Sequence, residues 1–372
     1  MKKKEDWKIE KLGDVCIIER GGSPRPIEKY ITSDKNGINW IKIGDAKEGT
    51  MIISSTKERI KPEGMSKSRF VRKGDFILSN SMSFGKPYIL GVDGCIHDGW
   101  LVIRDEKGVF DKSFLYYFLG CKYTYQTFKE MAVGGVVNNL NSKMVRGLMI
   151  PIPPLPIQHQ IVSELDTLSD IISKKKQQLE ELDKLAQATF YDMFGDPVSN
   201  EKGWEVKLLG EISSLKSGQF VKANDIQSHY SNGLYPCFGG NGLRGFTKIF
   251  THNGEFVLIG RQGALCGNVK IAKEKFHATE HAVVCTPLVN YETLWFYFML
   301  KTLNINKYAT GAAQPGLAVG KLEKIEIPFS PLLFQNKFAR QIESIEKQKA
   351  LINQSIGDVQ QLFDYTMDKY FN

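Results

Sequence analysis

The 372 residues predict an α+β fold laid down twice in tandem, each α+β region followed by one long helix, with the two helices packed on each other as a coiled coil. Three observations predict it. The chain repeats itself in order, short apolar runs between turn residues fill the first part of each repeat, and a heptad-spaced helix in the same register closes both.

The repeat sets the domain plan. WKIEKLGDV at 7–15 matches WEVKLLGEI at 204–212, GDFIL at 74–78 matches GEFVL at 254–258, LYYFL at 115–119 meets LWFYF at 294–298, and IPIPPL at 150–155 meets IPFSPL at 327–332. The separation shrinks from 197 to 177 residues along the chain, so the second copy is the shorter. Loops are where such deletions are best tolerated. Two homologous halves predict pseudo-twofold symmetry. The expected boundaries are 1–150 for the first α+β domain, 151–196 for a central helix, 197–326 for the second domain and 327–372 for a distal helix.

In the domains, INWIKIG, DFILS, WLVIR and EFVLIG read as strands, joined by turns rich in Gly, Asn and Ser. The aromatic segments 113–129 and 291–304 each read as one helix. Residues 239–245, GGNGLRG, contain the G-x-G-x-x-G pattern of dinucleotide binders, which needs a strand before the glycines and a helix opening on them. Here 234–238 contains a proline and suits a short edge strand, while 246–252 alternates as a second strand. The glycines therefore predict a turn between strands. The overlapping F-G-G-N-G fails as an S-adenosylmethionine motif for want of the same helix.

The helices follow from spacing. Ile161, Leu165, Leu168, Ile172, Leu179, Leu182, Ala186 and Met193 follow a heptad with Lys175 and Thr189 as off-type members; Phe338, Ile342, Ile345, Ile352, Ile356, Val359, Phe363 and Tyr370 follow the same heptad, with Lys349 and Thr366 off-type. Each starts after a proline-rich stretch, and the first stops at Gly195-Asp196-Pro197, a glycine followed by a proline.

Composition is that of a globular protein, 42% hydrophobic and 24% charged, and a formal charge of +8 favours an anionic partner. Six scattered cysteines without a CxxC pair, and no apolar signal segment after MKKKEDW, lead us to expect a reduced, cytoplasmic setting. No apolar run is long enough to predict a membrane span.

Catalytic motifs are lacking. His277-Ala278-Thr279-Glu280-His281 fits H-x-x-E-H, but that zinc pattern needs a helix, the flanks alternate like strands, and the repeat aligns His277 with His97 in a copy lacking a second histidine. Gly85-Lys86 runs into Pro87 and Gly320-Lys321 into Leu322, so neither is a phosphate loop. No methyl-transfer motif and no G-x-S-x-G elbow occurs. These residues point to binding. A structural coiled-coil scaffold and a zinc enzyme remain as other classes.

The paired halves, the helix start PLPIQHQIVSELDTL with its shorter echo PLLFQNKFARQIESI, the exit ATFYDMFGDP, and the segments RGGSPRPI (20–27) and YPCFGGNGLRGF (235–246) together resemble the specificity (S) subunit of type I restriction–modification enzymes. A specificity subunit of a combined restriction–methylation enzyme would look much the same. The resemblance implies two target recognition domains, each reading half of a split site in double-stranded DNA, and two antiparallel spacer helices. It also implies two docked methyltransferase (modification) subunits and restriction endonuclease subunits. On the same likeness this chain holds no cofactor: S-adenosylmethionine, ATP and Mg sit in the partner subunits.

Loops that approach DNA should be glycine-rich and carry Arg, Lys, Asn, Gln or Ser for phosphates and base edges. The candidates are Arg25, Asn80, Ser83 and Lys86 in the first half, and Asn241, Arg244, Arg261, Gln262 and Asn268 in the second.

Overall fold

The computed structural model describes residues 7–47, 49–80, 85–132, 139–263, 265–311 and 315–372. They fall into two compact units, and the division cuts both long helices: one unit lies within Met1–Lys174 and Ser355–Asn372, the other is Lys175–Gln354.

In the first unit, strand Lys8–Lys11 pairs antiparallel with Met149–Ile152, tying the start of the domain to its end. Two five-stranded sheets lie between. One runs Ile17–Arg20, Trp100–Arg104, Phe76–Ser79, Pro87–Leu90, Ile52–Ile53; the other runs Ile31–Thr32, Glu58–Ile60, Ile38–Ile41, Gly94–Ile96, Arg69–Val71. Side chains alternate across a strand. Phe76, Leu78, Leu101 and Ile103 therefore face the core beneath the helices, while Ile77, Trp100 and Val102 join Ile41, Val71, Leu90 and Ile96 in a second core. Both faces are buried, which is why WLVI and FIL are unbroken apolar runs rather than alternating ones.

The aromatic segment expected as one helix over 113–129 is two, Lys112–Gly120 and Lys122–Ala132. Cys121 between them is extended, and its Sγ accepts from the Thr124 N–H at 3.4 Å, capping the start of the second helix. The first is capped by Asp111, whose carboxylate accepts from the Phe114 N–H at 3.0 Å.

The second unit repeats the plan with two four-stranded sheets. One runs Ser213–Ser217, Ala282–Pro287, Phe256–Gly260, Val269–Ala272; the other runs Gly242–Thr247, Tyr235–Gly239, Lys275–Ala278, His252–Asn253. GGNGLRG is the turn of an antiparallel hairpin, with Gly239 opposite Gly242. Its first strand is not at an edge as expected, for Tyr235–Gly239 is paired on both sides. Pro236 is tolerated there because Phe246 opposite it exchanges both its backbone bonds with Gln227, at 2.8 Å each, and the pairing on the other side, with Lys275–Ala278, begins only at Cys237. The strand expected over 246–252 is instead Gly242–Thr247 followed by the separate His252–Asn253.

Ladder register fixes the equivalence of the halves better than residue identity does. Ser79 faces Trp100 as Gly260 faces Ala282, so the counterpart of Phe76 is Val257 rather than Phe256. Val257 indeed packs in the helix-side core, whereas Phe256 lies against the other cluster. Likewise Cys95 pairs with Trp40 as His277 pairs with Cys237, so His277 corresponds to Cys95 and His97 to Thr279, not to each other. The H-x-x-E-H segment is strand Lys275–Ala278 running into a turn, not a helix.

The long helices are Leu155–Phe194 and Leu332–Phe371, 40 residues each. In the first unit the Tyr370 hydroxyl donates to Glu164 Oε2 at 2.7 Å; in the second, Lys349 Nζ donates to Asp183 Oδ1 at 2.8 Å and Phe190 meets Phe338 edge-on at 5.7 Å. The helices are thus antiparallel, and every heptad position named for the second is buried or half-buried. Their ends also sink into the domain cores: Ile161, Leu165 and Phe371 among Phe114 and Phe118, and Phe190, Phe194 and Phe338 among Trp295 and Phe298. Phe190 and Phe194, off the expected heptad, are 0% and 1% exposed. After Phe194 the chain turns at Gly195, φ 74°, a left-handed helix end that favours glycine, and Trp204 Nε1 donates to the Phe194 carbonyl at 3.1 Å.

A buried glutamine locks each helix start. Gln158 Oε1 accepts from the Asp111 N–H at 2.7 Å while its Nε2 donates to the Val109 and Pro153 carbonyls; Gln335 Oε1 accepts from the Glu292 N–H at 2.9 Å while its Nε2 donates to the Ser330 carbonyl. Asp111 and Glu292 are in turn the caps of helices Lys112–Gly120 and Thr293–Thr302. No helix among the described residues is long and apolar enough to cross a membrane, and all six cysteines are buried and free.

Candidate nucleic-acid interface

In each unit the same sheet ends bring three loops together, and glycine makes the crossing possible. Gly21 N–H donates to Trp100 O at 2.9 Å and Gly218 N–H to Ala282 O at 3.0 Å. A Cβ on Gly21 would stand 2.2 Å from His97 O, one on Gly218 2.1 Å from Ala278 O, and one on Gly260 1.8 Å from Gly240 O. Glycine was expected here to let backbone approach phosphates. At these three positions it lets one protein strand pass over another.

The first cluster converges on Asp98. Ser23 Oγ donates to its carboxylate at 3.0 Å and Arg25 Nη2 at 3.4 Å, while Arg20 Nε and Asn80 Nδ2 donate to its carbonyl at 3.1 and 2.8 Å. Burial pushes the Asp98 carboxyl up, but the Ser23 hydroxyl, His97 and the two arginines outweigh it and hold it below the ordinary 3.8. Burial conversely pulls His97 down from 6.5 against the attraction of Asp98.

Of the first-half candidates, Arg25 has an 82% exposed side chain leaning on that acid. Asn80 is 2% exposed and committed to Asp98, which takes its amide out of reach of a base edge. Lys86 lines a groove with Tyr88, Tyr116, Tyr117 and Phe363. Ser83 lies outside the described residues.

Of the second-half candidates, Asn241, Arg261, Gln262 and Asn268 lie on the crossing loops and Arg244 on the strand that leaves the hairpin turn. Asn268 Nδ2 donates to Asn241 Oδ1 at 2.8 Å, joining the hairpin turn to the loop after Phe256–Gly260. Arg244 is exposed on the hairpin's second strand, its Cδ beside Gly239. Arg261 is half-buried: its N–H donates to His281 O at 3.0 Å, its carbonyl accepts from Leu317, and its Nη1 donates to Ser217 Oγ at 2.7 Å. Gln262 is exposed and bridges to Gly316. Burial raises the Cys237 thiol pKa, with Arg244 pulling against it and Glu280 adding to it, so both charges bear on the strand between them.

Asp98 and Glu280 were not candidates, although each is the acid beside the histidine segment of its repeat. Their signal is structural: they occupy equivalent turns, since Trp100 N–H donates to His97 O as Ala282 N–H donates to Thr279 O. Such a surface, with guanidinium groups and amides at loop ends, suits an anionic polymer carrying hydrogen-bonding edges.

A family model described as the type I restriction modification DNA specificity domain matches residues 4–184 and again 201–361. The chain is 30% identical over 331 residues to the type I restriction enzyme EcoprrI specificity subunit of Escherichia coli, across 85% of this chain and 82% of that one. It is 26% identical over 372 residues to the MjaIX specificity subunit of Methanocaldococcus jannaschii, across 88% and 84%. In fold it is similar to a chain solved in work on assembly and conformational transition of the type I restriction–modification system, TM-score 0.65 at 19% identity, covering 98% of this chain and 97% of that one. It is similar also to the S subunit from M. genitalium, TM-score 0.58 at 17% identity, covering 99% and 96%.

Proposed function

Because the chain belongs to the type I restriction–modification DNA specificity family, we propose that it is the subunit that gives such an enzyme its target sequence. Each unit reads one half of a bipartite site in double-stranded DNA. The chain directs two methyltransferase (modification) subunits and the restriction endonuclease subunits to that site, in the cytoplasm where the DNA is. One observation carries this reading: the two halves, each matched by the same family model, present glycine-crossed loop clusters bearing arginines and amides at equivalent sheet ends.

The chain itself is non-catalytic on this reading. S-adenosylmethionine belongs in the methyltransferase subunits, and ATP and Mg with the restriction subunits. This chain's residues supply binding: exposed lysines and arginines meet phosphates and set register, and a few side chains at the loop crossings meet base edges. Arg25, Lys86, Asn241, Arg244, Arg261, Gln262 and Asn268 are candidates for one or the other role, and Ser83, outside the described residues, stays a candidate from the sequence alone.

The test is methylome sequencing of the host with and without the gene. Loss of one split methylated motif is expected; an unchanged methylome in a strain whose methyltransferase is expressed overturns the assignment. Helix length is the second handle. Inserting seven residues in register into both long helices adds about 10 Å to each, or roughly three base pairs at about 3.4 Å per step. The unspecified gap should widen by that much while both half-sites stay fixed.

A further inference from the structure

The turn Thr279-Glu280-His281 carries chemistry with no role in the frame of the fold. Among the described residues, five buried side-chain atoms without a protein hydrogen-bond partner collect at this turn: Arg261 Nε, His277 Nδ1, Thr279 Oγ1, Glu280 Oε2 and His281 Nδ1. They form one neighbourhood, because the Arg261 N–H donates to His281 O at 3.0 Å. A Cβ on Gly239 would meet Thr279 Oγ1 at 3.7 Å, and one on Gly240 would meet His281 O at 3.2 Å. Thr279 and His277 are both 0% exposed.

Buried polar atoms without partners are unfavourable, and native chains keep few of them. The fold does not force this set, since the equivalent acid Asp98 in the first unit is bonded to Ser23 and Arg25. The second unit has Lys216-Ser217-Gly218-Gln219-Phe220 where the first has Glu19-Arg20-Gly21-Gly22-Ser23, so no serine faces Glu280, and Ser217 serves Arg261 instead.

His277 and Thr279 are sealed from any ligand, so the half-buried Glu280 and Arg261 define what could satisfy the set from outside. A carboxylate accepts only, and a guanidinium donates only. A phosphate offers acceptors and a negative charge, so Glu280 disfavours it. The major-groove edge of a base pair presents exocyclic amino donors beside N7 and O6 acceptors, and so satisfies both groups together. We infer that Glu280, whose side chain is 35% exposed on the turn bonded to the Arg261 N–H through His281, is a specificity-determining residue that accepts a hydrogen bond from the exocyclic amino group of a cytosine or adenine in the second half-site. This rests on the proposal that the chain reads DNA.

The experiment uses the full chain assembled with its methyltransferase subunits and a library of duplexes randomised across both half-sites. Wild type should prefer a cytosine or an adenine at one position of the second half-site, and the identity of that base tells the two amino groups apart. Glu280→Ala, which removes the acceptor, should reduce the preference at that position by on the order of ten- to a hundred-fold, with every other position unchanged. Glu280→Asp, which keeps the carboxylate, should retain the favoured base with weaker discrimination. Equal weakening of all sequences with an unchanged preference in Glu280→Ala, or a change confined to the first half-site, overturns the inference. A wild-type complex with no sequence preference at all overturns the DNA-reading assignment itself.

Discussion

In the first unit the turn acid Asp98 is bonded to Ser23 and Arg25 and its backbone carbonyl to Arg20 and Asn80, whereas among the described residues its counterpart Glu280 has as close partner only His281, 3.3 Å away. The surrounding frame is the same in both. Gly21 and Gly218 cross the same strand, Asp111 and Glu292 cap the same helix, and Gln158 and Gln335 lock the same helix start. The difference shows where divergence is tolerated. Backbone crossings and buried locks involve many atoms at once and change only at large cost, while a turn side chain can change its partners without disturbing the frame.

The largest test of that shared frame lies at the helix ends. Phe190 follows Gln158 by the same interval at which Met367 follows Gln335, but Phe190 is 0% exposed among Phe298 and Phe338, whereas Met367 is only partly buried. Phe190→Ala is expected to cost about 3–5 kcal/mol and Met367→Ala about 2 kcal/mol, read by chemical denaturation. Equal losses would erase the asymmetry.

The glutamine locks come next. Gln158→Ala strands the Asp111 N–H and two carbonyls, Gln335→Ala the Glu292 N–H and one. Losses of about 2–3 kcal/mol and about 1–2 kcal/mol are expected in that order, and the reverse order would break the equivalence of the two locks.

At the loops the comparison becomes one of specificity. Arg261→Ala should cost about 1–3 kcal/mol at one base position of the second half-site. Arg25→Ala, whose exposed guanidinium leans on Asp98, should weaken binding evenly across sequences and lower the salt slope by about one. Binding to every single-base variant at two salt concentrations separates these outcomes; even weakening for Arg261→Ala removes it from base reading.

The smallest effect is on pH. The Asp98 carboxyl sits below 3.8 in the fold, so its contribution is complete above that value and is lost as pH falls through its folded value. Asp98→Asn should flatten the acid limb of stability below about pH 4 and leave neutral stability within ~1 kcal/mol. An acid limb identical to wild type would remove the contrast with Glu280.

The tandem repeat, the strands at INWIKIG, DFILS, WLVIR and EFVLIG, both long helices and the turn at GGNGLRG were legible in the sequence because periodicity and glycine placement are local. Register was not. GDFIL against GEFVL, and LYYFL against LWFYF, align by apolar type, and Phe, Leu, Tyr and Trp substitute so freely in a core that the match slips; ladders and caps set Phe76 with Val257 and Phe114 with Trp295. The same slip paired His97 with His277. Phe190 and Phe194 escaped because a heptad describes a helix meeting one neighbour, and these face a domain core as well. Asn80 read as a loop amide, and only its bond to the Asp98 carbonyl shows it turned inward.

Chain order also reaches into synthesis. Ser355–Asn372 belongs to the first unit, and Phe371 meets Phe114 and Phe118 at 5.4 and 5.8 Å between ring centres. The ribosome makes the whole second unit, Lys175–Gln354, before it makes that strap. At about 5–20 residues per second the wait is on the order of ten to forty seconds. Through that interval the nascent first domain carries an uncovered aromatic face, while the second can close as soon as its own last turn emerges. The order of birth is therefore the reverse of the order of completion, and a ribosome stalled before Ser355–Asn372 emerges leaves the earlier-made domain as the one open to chaperones and proteases.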